Sequence, residues 1–286
     1  MNHPINRIGI IFHPQIPQSK TLSAEIAAWL NERSVGTWCG STWNEAQIQE
    51  QLPSLSLLLV LGGDGSMLRA ARLTLGSNVP IIGLNLGRVG FLCEIRFDEW
   101  HNALTRLLQG AYWLEKRLML SAELVRNGEV VDRYTALNEV VVGRGQQARV
   151  VYFQLWVNGY IVAEYTADSL IISTPTGSTA YALAAGGPVL PPQLQNFVVV
   201  PVASHLSLSQ PLVLPEEADI TIKIKMDHEA MLTADGQAGA PLLSGDKVHI
   251  QRHWDACYFV RVENEGYFYQ RLMERLGFHL PEVDGL

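Results

Sequence analysis

Apolar and polar positions fall into two regimes along the chain. From Arg7 to about residue 110, short apolar runs alternate with stretches of helical spacing. RIGIIFH (Arg7 to His13) reads as a strand that ends at Pro14 and Pro17, after which Leu22, Ile26, Trp29, Leu30 and Arg33 recur at helical intervals. A second helix is expected over Glu45 to Leu52. The run LLLVL (Leu57 to Leu61) then suits a strand buried on both faces, because a parallel strand covered by helices has no polar side to show. Helical spacing returns over Ser66 to Leu75 (Met67, Leu68, Ala71, Leu75), followed by a strand over Val79 to Asn85. A helix over Asp98 to Gln109 carries Trp100, Leu104, Leu107 and Leu108 and ends at Gly110. This alternation is the pattern of a parallel sheet with helices on its faces.

Beyond residue 118 the period shortens to two. Ser121 to Val131 and Phe153 to Tyr165 are alternating runs interrupted by Asn127-Gly128 and Asn158-Gly159, the dipeptide that supplies both left-handed residues of a type I′ hairpin turn. Further strands are expected at Ser169 to Ser173, Phe197 to Val202, Ile220 to Met226, Lys247 to Gln251 and Cys257 to Val262. A short amphipathic helix follows over Tyr267 to Leu276, its apolar face Phe268, Leu272 and Leu276. The fold class is therefore an α/β N-terminal domain with a parallel sheet (1–118) and a mostly antiparallel β C-terminal domain (119–266). Residues 267–286 are expected to pack back on the first domain.

Composition narrows the class. The chain has 286 residues, 48% hydrophobic and 17% charged, which is globular without a disorder signature. A formal charge of −7 leaves no electrostatic footprint for nucleic acid. No apolar run is long enough to span a bilayer, and MNHPINRIGIIF lacks the layout of a signal peptide, so a cytoplasmic protein without membrane contact is expected. Cys39, Cys93 and Cys257 are too scattered for a CxxC clip and read as reduced and structural. Neither HExxH nor GK[ST] occurs, which excludes the zincin and P-loop signatures.

Chemistry concentrates in two stretches. Gly62-Gly63-Asp64-Gly65 breaks the buried strand just before a helix, where main-chain N–H groups and the helix dipole favour an anion. A phosphate-bearing ligand is the natural guess, and an Asp capping a helix in a Gly-rich turn is the plain alternative. The second stretch, DSLIISTPTGSTAYALAAGGP (Asp168 to Pro188), runs a strand into small hydroxyl residues ahead of a helix over Ala180 to Ala185. It offers short donors to a phosphate or ribose, although Ser and Thr are also common caps.

Taken together, GGDGS, GLNLGRVGFL (Gly83 to Leu92), ALNEVVV (Ala136 to Val142), STPTGSTAYALAAGGP (Ser173 to Pro188) and DGQ (Asp235 to Gln237) resemble the NAD kinase family, in that family's order and over nearly the whole chain. GGDG alone is shared with phosphofructokinases and diacylglycerol-type lipid kinases; TPTGSTAY with a downstream GGP is far more specific. The resemblance implies transfer of the terminal phosphate of ATP to the 2′-hydroxyl of the adenosine ribose of NAD, with a divalent metal, magnesium, as cofactor. It also implies homodimers or homotetramers and an active centre in the cleft between the domains. Asp64 matches the acid that accepts the hydroxyl proton as the oxygen attacks, with metal ligation through the ATP phosphates as its rival role, and Gly65 matches its binding neighbour. Asn138 and Glu139 match the pair that binds the dinucleotide, and are expected at a strand's start or bulge. Asp168 matches an acid at the nicotinamide end. Thr176, Thr179, Ala180, Tyr181, Ala182, Leu183 and Ala184 match the loop that holds the adenine and acceptor ribose, with Tyr181 available for stacking. Arg149 and Gln237 lie at further ligand contacts, and Arg69 either faces a phosphate or is an exposed helix residue. The resemblance assigns no side chain of this chain as a settled metal ligand.

Three positions depart from the family pattern. Ser66 stands where Thr is usual, Gln210 stands for an Arg in His205-Leu206-Ser207-Leu208-Ser209-Gln210-Pro211, and Ser169 replaces a Gly, which matters little if its φ is negative. The rivals are a GGDG kinase of a lipid or sugar phosphate, and a catalytically silent NAD(P)-binding regulator.

Overall fold

A computed structural model of the chain describes residues 5–87, 90–145, 149–204, 209–226 and 228–275. The chain forms two compact units, one built from the residues up to Lys116 and those from Cys257 onward, the other from Arg117–Ala256.

The first stretch runs β1 (Arg7–Phe12), α1 (Pro17–Asn31), β2 (Gly36–Ser41), α2 (Glu45–Gln51), β3 (Leu57–Gly62), α3 (Asp64–Thr74), β4 (Ile81–Asn85), β5 (Ile95–Arg96), α4 (Trp100–Leu108) and β6 (Trp113–Arg117). The second unit holds β7 (Leu120–Arg126), β8 (Glu129–Ala136), β9 (Glu139–Arg144), β10 (Val151–Val157), β11 (Tyr160–Ala167), β12 (Ser169–Ser173) and α5 (Tyr181–Ala184). It continues with β13 (Asn196–Val202), β14 (Leu212–Pro215), β15 (Ile220–Lys225), β16 (Ala230–Ala234), β17 (Ala238–Leu242) and β18 (Lys247–Arg252). β19 (Cys257–Arg261) and α6 (Tyr267–Arg275) return to the first unit.

In the first unit the sheet order is β2-β1-β3-β4-β19-β6, with β5 also on β4. β1, β2, β3, β4 and β19 pair in parallel, in registers such as Ile8↔Leu57, Leu58↔Ile81 and Phe259↔Ile81. Every residue of β3 is buried, as expected for a strand with helices over it. Pro17 opens α1, which buries Leu22, Ile26 and Leu30 at four-residue spacing against the sheet core and brings Trp29 edge-on to Trp100 of α4, 5.7 Å between centroids.

Two expectations change here. Cys257–Arg261 is a strand, yet it joins the parallel sheet beside β4 instead of the β domain. Its apolar residues fit either sheet, and a parallel neighbour is reachable only through a long connection that no local signal announces. Second, α3 begins at Asp64, two residues before its hydrophobic periodicity, because Gly63 in extended conformation (φ −121°, ψ −168°) serves as N-cap and the first turn is polar.

The second unit stacks two antiparallel sheets, β11-β10-β15-β18-β7-β8 and β14-β13-β12-β9-β16-β17. Alternate residues from both meet in one core: Leu120, Ala122, Phe153, Leu155, Ile220 and Ile222 from the first, Val140, Val142, Leu170, Ile172, Leu232 and Val199 from the second. Both Asn-Gly turns have positive φ at each central residue: Asn127 53° and Gly128 88°, Asn158 51° and Gly159 82°. Asp235 (51°) and Gly236 (62°) make a third such turn, between β16 and β17. Ser169 is not among the positive-φ residues, and its side chain fits because Gly143 sits opposite it.

Candidate functional site

In the first unit the parallel strands β1, β3 and β4 end together, and the turn after β3 places Asp64 in the first turn of α3. A helix N-terminus at the carboxyl edge of a parallel sheet is where anionic ligands bind. Gly62 is needed for the close strand-to-helix packing, since a Cβ there would fall 2.4 Å from Ser66 Oγ. The half-buried Asp64 side chain is held by backbone: Phe91 N–H donates to Oδ2 at 2.9 Å and Leu92 N–H to Oδ1 at 3.1 Å. Gly90 lies against the carboxylate, where any side chain would collide with it. Cys93, the neighbouring thiol, is buried; burial and then the Asp64 charge push it well above the usual thiol range, which makes it inert.

Arg69, farther along α3, pairs with Glu45 at 3.3 Å, and both side chains are partly exposed. Gly65 is exposed in the first turn. The motif residues Arg88 and Val89 lie outside the described residues.

In the second unit the polar cluster forms at the start of β9. Glu139 is its first residue and Asn138 precedes it, the strand-start position expected for the pair. Both are buried, at 9% and 8% exposure, and Asn138 Oδ1 and Glu139 Oε2 have no hydrogen-bond partner among the described residues. Burial first, and then the charge of Asp235, push the Glu139 carboxyl up to about 8, so near neutral pH it is largely protonated. Asp235 organises the backbone beneath the pair: its Oδ2 accepts Leu137 N–H at 3.0 Å, and its Oδ1 accepts Asn138 N–H at 2.8 Å and Glu139 N–H at 3.2 Å.

The hydroxyl loop packs against the same backbone. Gly177 approaches Asn138 so closely that a Cβ would fall 2.2 Å from its carbonyl oxygen. The loop's hydroxyls are engaged by neighbouring backbone and side-chain groups. Thr174 Oγ1 donates to Leu137 O, Ser173 Oγ to Asn138 O and Ser178 Oγ to Pro175 O, while Arg117 donates to Thr176 Oγ1 at 3.0 Å. A buried loop must satisfy its own polar groups before it can satisfy a ligand's, and these side chains do so. Thr179 donates to Thr176 O, the Ala180 N–H bonds Gly177 O, and the Ala182 side chain enters an apolar cluster with Ile171, Val198 and Val200. Tyr181 and Ala184 are exposed and Leu183 half-buried.

Asp168 stands apart from the Asn138 pair, ion-paired to Arg144 at 3.3 Å in a cavity of about 360 Å³ that Tyr181, Gly143 and Thr233 also line. Arg149 is exposed near Met226 and His228, and Gln237 is exposed after the Asp235 turn. Residues 205–208 of the same motif lie outside the described residues, whereas Gln210, the departure itself, is exposed. Sequence reasoning assigned no role to Asp235, Arg117, Arg144 or Gly90. For Asp235 a signal existed, the Asp-Gly dipeptide between two alternating runs.

Comparison with known proteins covers both units. The family model for the ATP-NAD kinase C-terminal domain matches residues 137–262, and that for the ATP-NAD kinase N-terminal domain matches residues 34–112. The chain is 38% identical over 272 residues to the NAD kinase of Chloroflexus aurantiacus, covering 95% of this chain and 99% of that one. It is 39% identical over 280 residues to the NAD kinase of Nitratidesulfovibrio vulgaris, covering 97% and 98%. Among solved structures it resembles the yeast NADH kinase complexed with NADH in fold, with a TM-score of 0.85 at 23% identity over 99% of this chain and 91% of that one. An NAD kinase from Archaeoglobus fulgidus in complex with ATP gives 0.78 at 25% identity, over 96% and 100%.

Proposed function

The chain belongs to the NAD kinase family, and from that premise we infer that it transfers the terminal phosphoryl group of ATP to the 2′-hydroxyl of the adenosine ribose of NAD, giving NADP. Asp64 is the residue assigned to the acceptor hydroxyl. A carboxylate is far too weak a base to hold that proton in the ground state, so its work is to orient the hydroxyl and take the proton as the new P–O bond forms. Two N–H donors fix the carboxylate and leave lone pairs on both oxygens, which suits this task.

The observation that carries the dinucleotide assignment is the pair of orphaned oxygens at Asn138 and Glu139. Buried oxygens without partners are costly, and adjacent sugar hydroxyls supply the missing hydrogen bonds. Asp168 and Tyr181 border a cavity suited to another part of the dinucleotide. Among the described residues no three His, Cys, Asp or Glu side chains converge to hold a metal ion. A divalent cation belongs to the same proposal, carried in on the nucleotide phosphates, whose charge it would neutralise. Self-association and a cytoplasmic location belong to the same proposal; among the described residues no helix is long and apolar enough to cross a membrane.

The test is a coupled assay of the purified protein with NAD, ATP and magnesium, run beside NADH and polyphosphate. NADP formation from NAD and ATP is expected. Tight dinucleotide binding without turnover contradicts the assignment.

A further inference from the structure

The chain's C-terminal return grips the backbone that holds Asp64. Phe91 and Leu92 give their N–H groups to the carboxylate, and the carbonyls that follow are taken by two arginines from β19 and α6. Arg261 Nη1 donates to Leu92 O at 3.4 Å, Arg271 Nη1 donates to Cys93 O, and Arg271 Nη2 donates to Glu94 O at 2.9 Å. We propose that Arg261 and Arg271 are positioning residues for Asp64, acting through the main chain of residues 91–94; the inference rests on the assignment of Asp64 above.

The arginines are themselves held in place. Arg261 is fully buried between Glu115, at 2.8 Å, and Glu94, at 2.9 Å. The other oxygen of Glu94 accepts the N–H groups of Val262 and Glu263, each at 2.9 Å, and Tyr267 donates to Glu115 at 2.9 Å. Arg271 is 12% exposed at the edge of this network and also meets Glu263 at 3.2 Å. Apolar packing of similar volume commonly serves stability as well as a buried ion network does. What apolar packing cannot do is aim donors at consecutive carbonyls beside a reacting group. The planar guanidinium of Arg271 reaches two carbonyls at once, which the single ammonium of a lysine does not reproduce.

Arg271 is the better test because it sits at the network's edge and its loss leaves Arg261 paired. In Arg271→Gln the proposal expects kcat to fall about 10- to 100-fold from a misplaced base, with the KM for NAD and for ATP within about twofold of wild type. Arg271→Lys is expected to recover only part of that loss. In an Asp64→Asn background, Arg271→Gln is expected to add nothing to the residual slow rate followed over long incubation, since the group it positions is gone. Unchanged kcat in a folded Arg271→Gln protein, or a loss that adds in full to that of Asp64→Asn, overturns the proposal. The single Asp64→Asn variant separates the failures: full turnover there removes the base and this inference together, whereas lost turnover there beside unchanged Arg271→Gln removes the inference alone.

Discussion

Asp235 and Asn138 are 97 residues apart in sequence, yet the carboxylate of Asp235 accepts the backbone N–H of Asn138 at 2.8 Å and those of both its neighbours. The turn that reverses β16 into β17 thereby fixes the start of β9, where the orphaned oxygens of Asn138 and Glu139 sit. Removing this carboxylate leaves buried N–H groups without their acceptor. Asp235→Ala is expected to lower unfolding free energy by about 2 to 4 kcal/mol and to raise the Kd for NAD, since charge-assisted bonds and orphaned donors each contribute on that scale. Urea denaturation and calorimetry with NAD check both; unchanged affinity in the folded variant removes Asp235 from the site.

Glu139 predicts a pH dependence. Burial and then the charge of Asp235 raise its carboxyl from the ordinary glutamate value of about 4.3 to about 8 in the folded chain. Between those values the folded state binds the extra proton, so unfolding becomes easier as pH rises through that window. Wild-type stability measured from pH 5 to 9 is expected to fall more steeply than that of Glu139→Gln, which has no proton to lose. Parallel profiles contradict the assignment.

Gly177 permits the hydroxyl loop to lie on Asn138, with a Cβ position only 2.2 Å from that carbonyl oxygen. Gly177→Ala must push the two segments apart. The expected result is about 1 to 3 kcal/mol of lost stability, as for other overpacked buried sites, with weakened NAD binding. Thermal melting and NAD titration measure the two effects.

Gly90 plays the matching part for Asp64: a Cβ there falls 2.1 Å from Oδ1. Gly90→Ala is expected to displace the carboxylate and cut kcat by at least about tenfold, the scale of a misplaced catalytic group, with the fold retained by circular dichroism. Wild-type kcat in this variant shows that the observed carboxylate position is unimportant.

The parts legible from sequence are those whose cause is local. The buried run before Gly62 and the Asn-Gly turns announce themselves because burial on both faces and positive φ each restrict residue type at the position concerned. β2 escapes such reading: GTWCGS is an edge strand of mixed burial with no period. The placement of Cys257–Arg261 beside β4 depends on a partner far away in sequence, as do Asp235 under Asn138 and Arg271 on the carbonyls after Leu92. The hydroxyl loop shows the converse limit. Its composition marks a run of small hydroxyl residues, but hydroxyls that close a buried loop and hydroxyls that bind a ligand are the same residues on paper.

The most direct measurement is the rate of NAD phosphorylation by Asp64→Asn, alongside its NAD affinity and melting temperature. If Asp64 is the base, the variant is a folded protein that still binds NAD and turns over about 10²- to 10⁴-fold more slowly, the usual contribution of a general base. Turnover at the wild-type rate would contradict that assignment.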